Sequence, residues 1–437
     1  MRNGVVGRRS IAVVGSGVAG LTAAYALAKR DRVTLFEADT RIGGHAHTHF
    51  VDDGAGRTVA VDSAFLVHND RTYPTLCRLF DELGVATHET EMSMSVRADG
   101  VGLEYAGARG IGGLFPSWAS LARPQYLRML MEVKRFHRAA TALLASEPSS
   151  DLEPLGSFLD RHDFSPFFVT HFMTPLVAAV WSCAPGAALS YPARYLFGFL
   201  EHHGMLSVFG SPKWRTVQGG SATYVNKVLE NLDEVHAGLP VYAVERTDGG
   251  VAVTAGCEAP RLFDSVVIAT HPEQALLMLV SPTAAEQQVL GAIPYSTNHA
   301  RLHTDESVLP RRRRARASWN YLATDNDAEV VVTYDVSRLM GLEGPRRFLV
   351  TLGDGHPIDP TQVLAEMTYA HPLYTPESVA AVQLLPTLGD DRVVFAGAYH
   401  GWGFHEDGAA SGLAAARRLG AEWPAAEQDQ RVESLVC

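Results

Sequence analysis

The chain has 437 residues, 46% of them hydrophobic and 19% charged, enough for two or three domains and a sizeable core. With 39 Gly and 23 Pro, its composition excludes collagen-like and low-complexity classes. Its 37 basic and 48 acidic residues give a formal charge of −11, which argues against a nucleic-acid partner, because phosphate backbones demand a basic face.

In chain order, Arg8 and Arg9 precede an uncharged stretch, residues 11–28, that by hydropathy resembles an export signal or a membrane span. Three glycines at fixed spacing inside that stretch point elsewhere, to a soluble, cytoplasmic protein whose membrane association is at most a weak surface contact. Residues 10–14 form a short apolar run suited to a buried parallel strand. Then comes Gly15-Ser16-Gly17-Val18-Ala19-Gly20, a helix over 21–29, a second strand over 32–36, and Glu37 at its end. Each part has a physical purpose in holding a dinucleotide. Gly15 permits the tight turn, Gly17 lets the backbone approach a pyrophosphate, and Gly20 lets the helix pack on the strand. The helix N-terminus presents unpaired N–H groups and partial positive charge to phosphates. Glu37 can accept hydrogen bonds from a ribose diol and would repel a 2′-phosphate.

Residues 76–206 read as mainly helical and aromatic-rich. The apolar stretches 166–175 and 176–181 fit a buried core helix, with the wall of a lipophilic tunnel as the alternative. Gln218-Gly219-Gly220 precedes a helical stretch, and 238–246, 250–254 and 264–271 read as strands. Arg311 to Arg314 with Arg316 is the densest charge run; it reads as a solvated loop, against contact with anionic headgroups or a substrate carboxylate. Residues 330–334 and 348–352 are strand-like and belong to a sheet expected to floor a substrate cavity. A strand over 392–397, the segment 398–408 and a helix over 409–419 close the chain, with Arg417 and Arg418 in the last turn and Gly420 past the end. Two further glycine clusters, Gly110 to Gly113 and Gly401 with Gly403, lack a strand before and a helix after, which leaves one dinucleotide site and no place for NADPH. Cys77, Cys183, Cys257 and Cys437 show no C-x-x-C spacing, so neither a metal site nor a disulfide framework is expected.

Several segments together resemble the flavin-containing amine oxidase and phytoene desaturase superfamily. After Glu37, the residues Ala38, Arg41, Gly43, Gly44 and His45 are similar to the basic residue and Gly pair that lie along the FAD there, and 61–65 to the segment near the flavin ring. The strand ending in Phe395-Ala396-Gly397, followed by Ala398 and a helix whose start near Glu406, Asp407 and Gly408 faces the flavin, is similar to the family's closing element. Val241 matches a Val on the adenosine side. The chain departs from the family at Ala398, often an acid there, and in a Ser411-Gly412 pair one residue closer to the preceding Gly. Gly43-Gly44-His45-Ala46, Trp319-Asn320-Tyr321 and residues 403–408 look closest to bacterial FAD/NAD-binding proteins often encoded beside cyclopropane-fatty-acid synthases.

The resemblance implies an α/β fold: a Rossmann-like FAD-binding domain of the GR2 amine oxidase-like type with an interleaved α+β substrate domain. The FAD domain would comprise 1–75, 207–285 and 386–437, and the substrate domain 76–206 and 286–385. It implies non-covalent FAD, since no Cys lies in 398–408 and a histidyl link through His45 or His400 is not expected. The expected function is oxidation or desaturation of a lipophilic small molecule, an acyl chain or natural-product intermediate, with oxygen, a quinone or a protein carrier as electron acceptor. The alternatives are a small-molecule amine oxidase releasing peroxide, a flavin-dependent isomerase without net redox, and a non-catalytic flavin-binding protein. A lysine near the flavin marks many amine oxidases; only Lys213 lies near a plausible block. Tyr399 and Trp402 (with Phe404) are candidates to flank a substrate, and His400 and His405 to exchange protons. The sequence leaves the oligomeric state open.

Overall fold

A computed structural model describes residues 8–147, 152–207, 210–323 and 331–423; Cys437 and Val330 lie outside them. The chain forms two compact units, each built from separated segments: 1–44, 225–291 and 385–437 make the first, and 45–224 with 292–384 the second. This division differs from the segments expected from sequence in that residues 45–75 and 210–224 fall within the second unit and 286–291 and 385 within the first.

The first unit is built on a five-stranded parallel sheet in the order Glu234–His236, Arg32–Phe36, Ser10–Val14, Ser265–Ile268, Val393–Phe395. Ile11, Val13, Val33, Leu35, Val266 and Val394 are fully buried, as the continuous apolar runs of a two-sided parallel sheet require. The helix Val18–Ala28 crosses from Ser10–Val14 to Arg32–Phe36. The next neighbour of Ser10–Val14 lies on its other side, so the order reverses at that strand. Such reversals are where open α/β sheets bind ligands, beyond the strands' carboxyl ends. Two of the expected strands, as Val241–Thr247 and Gly250–Ala255, join Arg261–Phe263, which was not expected, in a three-stranded antiparallel sheet, while the third expected strand is Ser265–Ile268 of the parallel sheet.

The second unit carries a seven-stranded mixed sheet, in the order Val363–Pro372, Tyr295–His303, Leu349–Leu352, Val332–Asp335, Trp319–Ala323, Met94–Ala98, Leu103–Gly107. The last two strands form a hairpin inside residues 76–206, which are otherwise mainly helical as expected. The first of them, Met94–Ala98, alternates apolar and polar residues as a strand does, but its polar members Ser95 and Arg97 are buried along with Val96 and Ala98. Arg97 is tolerated because its guanidinium meets Asp99 and the carbonyls of Ser307 and Leu309. Residues 166–181 are helical, with a π-turn over Val169–Met173, and Phe168, Val177 and Ala178 are fully buried in the core. Gly110 to Gly113 does follow a strand, Leu103–Gly107, and forms a helix, contrary to expectation. That strand pairs antiparallel with Met94–Ala98 and the helix has five residues, so no βαβ turn results.

Candidate functional site

The opening glycine turn has the shape of a phosphate cradle. Gly15 has φ +99°, a conformation side chains resist, and a Cβ there would lie 2.7 Å from the Ala269 carbonyl oxygen. A Cβ on Gly20 would lie 1.9 Å from the Gly15 carbonyl oxygen, so only Gly lets the helix sit this close to the turn. Gly17 differs: nothing lies within 4 Å of its Cβ position. Open space over the N-cap of Val18–Ala28, with no side chain capping that helix, is what an incoming diphosphate needs.

Ser16 ties this turn to the next segment. Its N–H and hydroxyl both donate to Glu37, and its hydroxyl accepts the Gly43 N–H at 3.0 Å. Arg41 donates to the Gly44 carbonyl at 2.8 Å, and Gly44 approaches Gly17 so closely that a Cβ would stand 3.0 Å from its Cα. Gly15, Ser16, Gly17, Gly20, Glu37, Arg41, Gly43 and Gly44 are therefore one cluster. Ala38 is exposed beside it. The Leu239 N–H donates to the Glu37 carbonyl, which places Val241 two residues beyond the acid's backbone.

The closing helix, His405–Arg418, reaches the same turn. A Cβ on Gly408 would lie 2.6 Å from the Val18 side chain and one on Gly412 2.1 Å from the Ala19 carbonyl oxygen. Val18, Ala19, Ala398 and Gly408 thus come together. The Ser411 hydroxyl accepts the Gly397 N–H at 2.9 Å and fastens the helix to the strand end. The helix begins at His405, not 409, because Asp407 caps it: its carboxylate accepts the Phe404 N–H at 2.8 Å. Burial pushes Asp407 up to about 6 against those N–H donors. Glu406 stands in the same first turn.

Tyr399 and His400 lie in the turn Ala398–His400, their rings 4.8 Å apart. The Tyr399 ring occupies the space a Cβ on Gly397 would fill, and its hydroxyl and His400 Nε2 are buried without a protein partner. Burial raises Tyr399, with Glu273 adding to the shift. Burial, then the charge of Arg418, lowers His400 to about 4, so its ring is neutral at pH 7. Trp402 sits in the loop that Asp407 holds, and His405 opens the helix.

His45 belongs to the second unit, in a polar network that sequence reading missed. Its ring packs 5.1 Å from Tyr369 and 5.2 Å from His371. The Tyr369 hydroxyl bonds His47 Nδ1 at 2.9 Å and the Ser63 hydroxyl at 2.7 Å, and Ser63 bonds His49 Nε2 at 2.9 Å. Asn298 donates to His371 at 2.9 Å. Histidines at 45, 47 and 49 have the period of one strand face, and that alternation was the available signal. Asp62 is buried nearby in the chain, accepting from Thr48, from the Ser221 N–H at 2.9 Å and from the Ser221 hydroxyl at 2.8 Å. Burial pushes it up to about 6. Among the described residues, no His, Cys, Asp and Glu cluster could hold a metal ion, and no helix is long and apolar enough to cross a membrane.

Residues 18–318 match the family model of flavin containing amine oxidoreductases. No curated protein matches by sequence. Among solved structures, cyclohexylamine oxidase from Brevibacterium oxydans IH-35A is similar, with TM-score 0.69 and 17% identity over 94% of this chain and 98% of that one. A fatty acid isomerase from P. acnes that produces CLA has TM-score 0.69 and 16% identity over 94% and 99%. Putrescine oxidase bound to putrescine has TM-score 0.67 and 16% identity over 95% and 99%. These identities establish a common fold.

Proposed function

Because the chain belongs to the flavin containing amine oxidoreductases and is an FAD-dependent oxidoreductase, we propose that it oxidises or desaturates a largely apolar small molecule, an acyl chain or natural-product intermediate. FAD supplies the hydride-accepting chemistry when bound. Gly15, Gly17 and the N-terminal N–H groups of Val18, Ala19 and Gly20 would hold its diphosphate. Glu37 would accept from the ribose, and the first turn of the closing helix, Glu406 to Gly408, would offer N–H groups and positive helix potential to an electron-rich ring. The cradle over Gly17 fits this group. The association is non-covalent in our reading, so acid precipitation should leave a colourless pellet and a yellow supernatant.

The observation that carries the substrate class is where the lysines and the polar network lie. Neither lysine of the second unit is buried, and Lys213 is spent on Glu89 at 3.2 Å in solvent. The lysine that the resemblance associates with amine oxidation has no counterpart there. Within the second unit, the Tyr369 hydroxyl, held between His47 Nδ1 and Ser63 with His49 behind Ser63, would exchange protons with a substrate bound there. The likeness to a fatty acid isomerase supports an acyl substrate. The likeness to two amine-acting enzymes supports the second reading, an amine oxidase releasing peroxide. Anaerobic incubation with fatty-acyl compounds is expected to bleach the oxidised-flavin absorbance. Bleaching by amines alone, with peroxide on aeration, would decide for the second reading. Product formation without bleaching would identify an isomerase, and silence with every compound a flavin carrier. The electron acceptor would be oxygen, a quinone or a protein, told apart by which one restores the bleached absorbance.

A further inference from the structure

The second unit exposes apolar side chains together. Trp118 is 88% exposed and Ile111 80%, and Leu121, Leu127 and Met131 also face solvent. They lie on the helices Gly110–Leu114 and Trp118–Leu121 and the start of Pro124–Ala145. Scattered single apolar residues are normal on a surface; a group of this size marks a docking face. The three helices are joined: the Tyr126 hydroxyl donates to the Leu114 carbonyl at 2.7 Å, and the Phe115 and Tyr126 rings meet edge-on at 6.0 Å. Arg123 donates to the Val101 carbonyl at the turn between the last two sheet strands. Arg314 lies against the first helix, its Cδ 4.0 Å from a Cβ built on Gly112.

Charge says what covers this face. Residues 108–146 hold six Arg or Lys and one carboxylate, in a chain of net charge −11. That carboxylate, Glu132, is buried, accepting from Ser165 and meeting Arg128 and Arg135. Arg311, Arg312 and Arg316 are spent on Asp99, Glu104 and Glu306. Among the described residues, no carboxylate pairs with Lys134, Arg138, Arg313 or Arg314. Bare Trp and aliphatic groups with cations beside them, Arg314 against the first helix and Lys134 one turn past Met131, are the composition of segments that lie in a bilayer interface. The apolar groups enter the acyl boundary, and the cations meet anionic headgroups. Nucleic acid would reward the cations and leave the apolar groups in water. A second copy of this acidic chain would lack the anionic sheet these cations match.

We propose that the face formed by residues 108–131 with Arg313 and Arg314 docks on the surface of an anionic bilayer. The inference is independent of the substrate. The test is co-sedimentation of the full, FAD-loaded protein with vesicles of phosphatidylcholine alone or mixed with phosphatidylglycerol. Binding is expected to the mixed vesicles, weakening as salt rises. Trp118→Ser with Ile111→Ser should reduce it about tenfold, and Arg313→Ala with Arg314→Ala by about the same factor with a flatter salt dependence. Unchanged flavin absorbance and far-UV circular dichroism would show that both variants are folded. No binding to anionic vesicles at low salt, or equal binding by wild type and variants, would overturn the proposal. So would concentration-dependent dimers in sedimentation velocity that Trp118→Ser abolishes while vesicle binding persists.

Discussion

At the scale of single residues, the glycines of the opening turn separate folding from cofactor binding. Gly17 has room for a methyl group and an ordinary helical φ, while Gly20 has none. Gly17→Ala should leave the apo-protein's melting temperature within about 2 °C of wild type and weaken FAD binding by at least about tenfold, because the methyl occupies phosphate space. Gly20→Ala should instead lower apo stability by about 1–3 kcal/mol, through overpacking against Gly15. Thermal melts and flavin titrations of the two variants check both. Asp62 makes a pH-dependent contribution with a definite sign. Its folded pKa, about 6, lies above its ordinary 3.8, so the stability it adds is complete below about pH 4 and lost as pH rises through 6. Asp62→Asn removes that dependence while an amide oxygen can still accept from Thr48 and Ser221. Between pH 4 and 8 the variant should gain on wild type by up to about 3 kcal/mol. A difference constant with pH in urea unfolding would refute this.

At the scale of elements, legibility followed sequence distance. The strand, glycine turn, helix and second strand of residues 10–36 are contiguous, and each residue's reason is local, so that element was readable. So was the closing strand, Val393–Phe395, which ends two residues before Gly397. The start of the closing helix was not, because Asp407 caps it through a loop whose shape depends on Gly401: a Cβ there would lie 2.0 Å from the carboxylate. The hairpin of Met94–Ala98 and Leu103–Gly107 was hidden because its strands are short, Ser95 and Arg97 are buried beside its apolar residues, and its parallel partner, Trp319–Ala323, is over two hundred residues away. The network of His47, His49, Ser63 and Tyr369 was hidden for the same reason: half of it is local alternation, but the hydroxyl that unites it comes from the far edge strand. The contact of the closing helix on Val18–Ala28 is the most exacting of these. Gly412→Val would force a branched side chain into the Ala19 carbonyl and should cost roughly 2 kcal/mol or more, with FAD affinity falling alongside stability, unlike Gly17→Ala. Denaturant midpoints measured with and without FAD would separate the two.

At the scale of the molecule, cofactor and fold should be coupled. A ligand that binds only the folded chain stabilises it by about 2.7 kcal/mol at a hundredfold excess over its dissociation constant. Removing FAD should therefore lower the melting temperature by several degrees, and adding it back should restore that loss in wild type and far less in Gly17→Ala. The mixed α/β fold, with a parallel sheet and a separate sheet elsewhere in the chain, was expected from the family resemblance, whose blocks lie near both ends and in the middle of the chain. The limits of the compact units were not, since residues 45–75 follow the cradle in sequence and fold with the other unit.

The parallel sheet takes its strands from three distant stretches, and its edge strand, Val393–Phe395, is the last to be synthesised. A ribosome that has not yet passed residue 395 has therefore made no complete nucleotide fold. Synthesis must pass residue 418 before the second helix of the cradle exists. Until then the apolar strands of residues 10–36 and 265–268 wait without their neighbour, in need of chaperone protection, and capture of the coenzyme is among the final events of biogenesis.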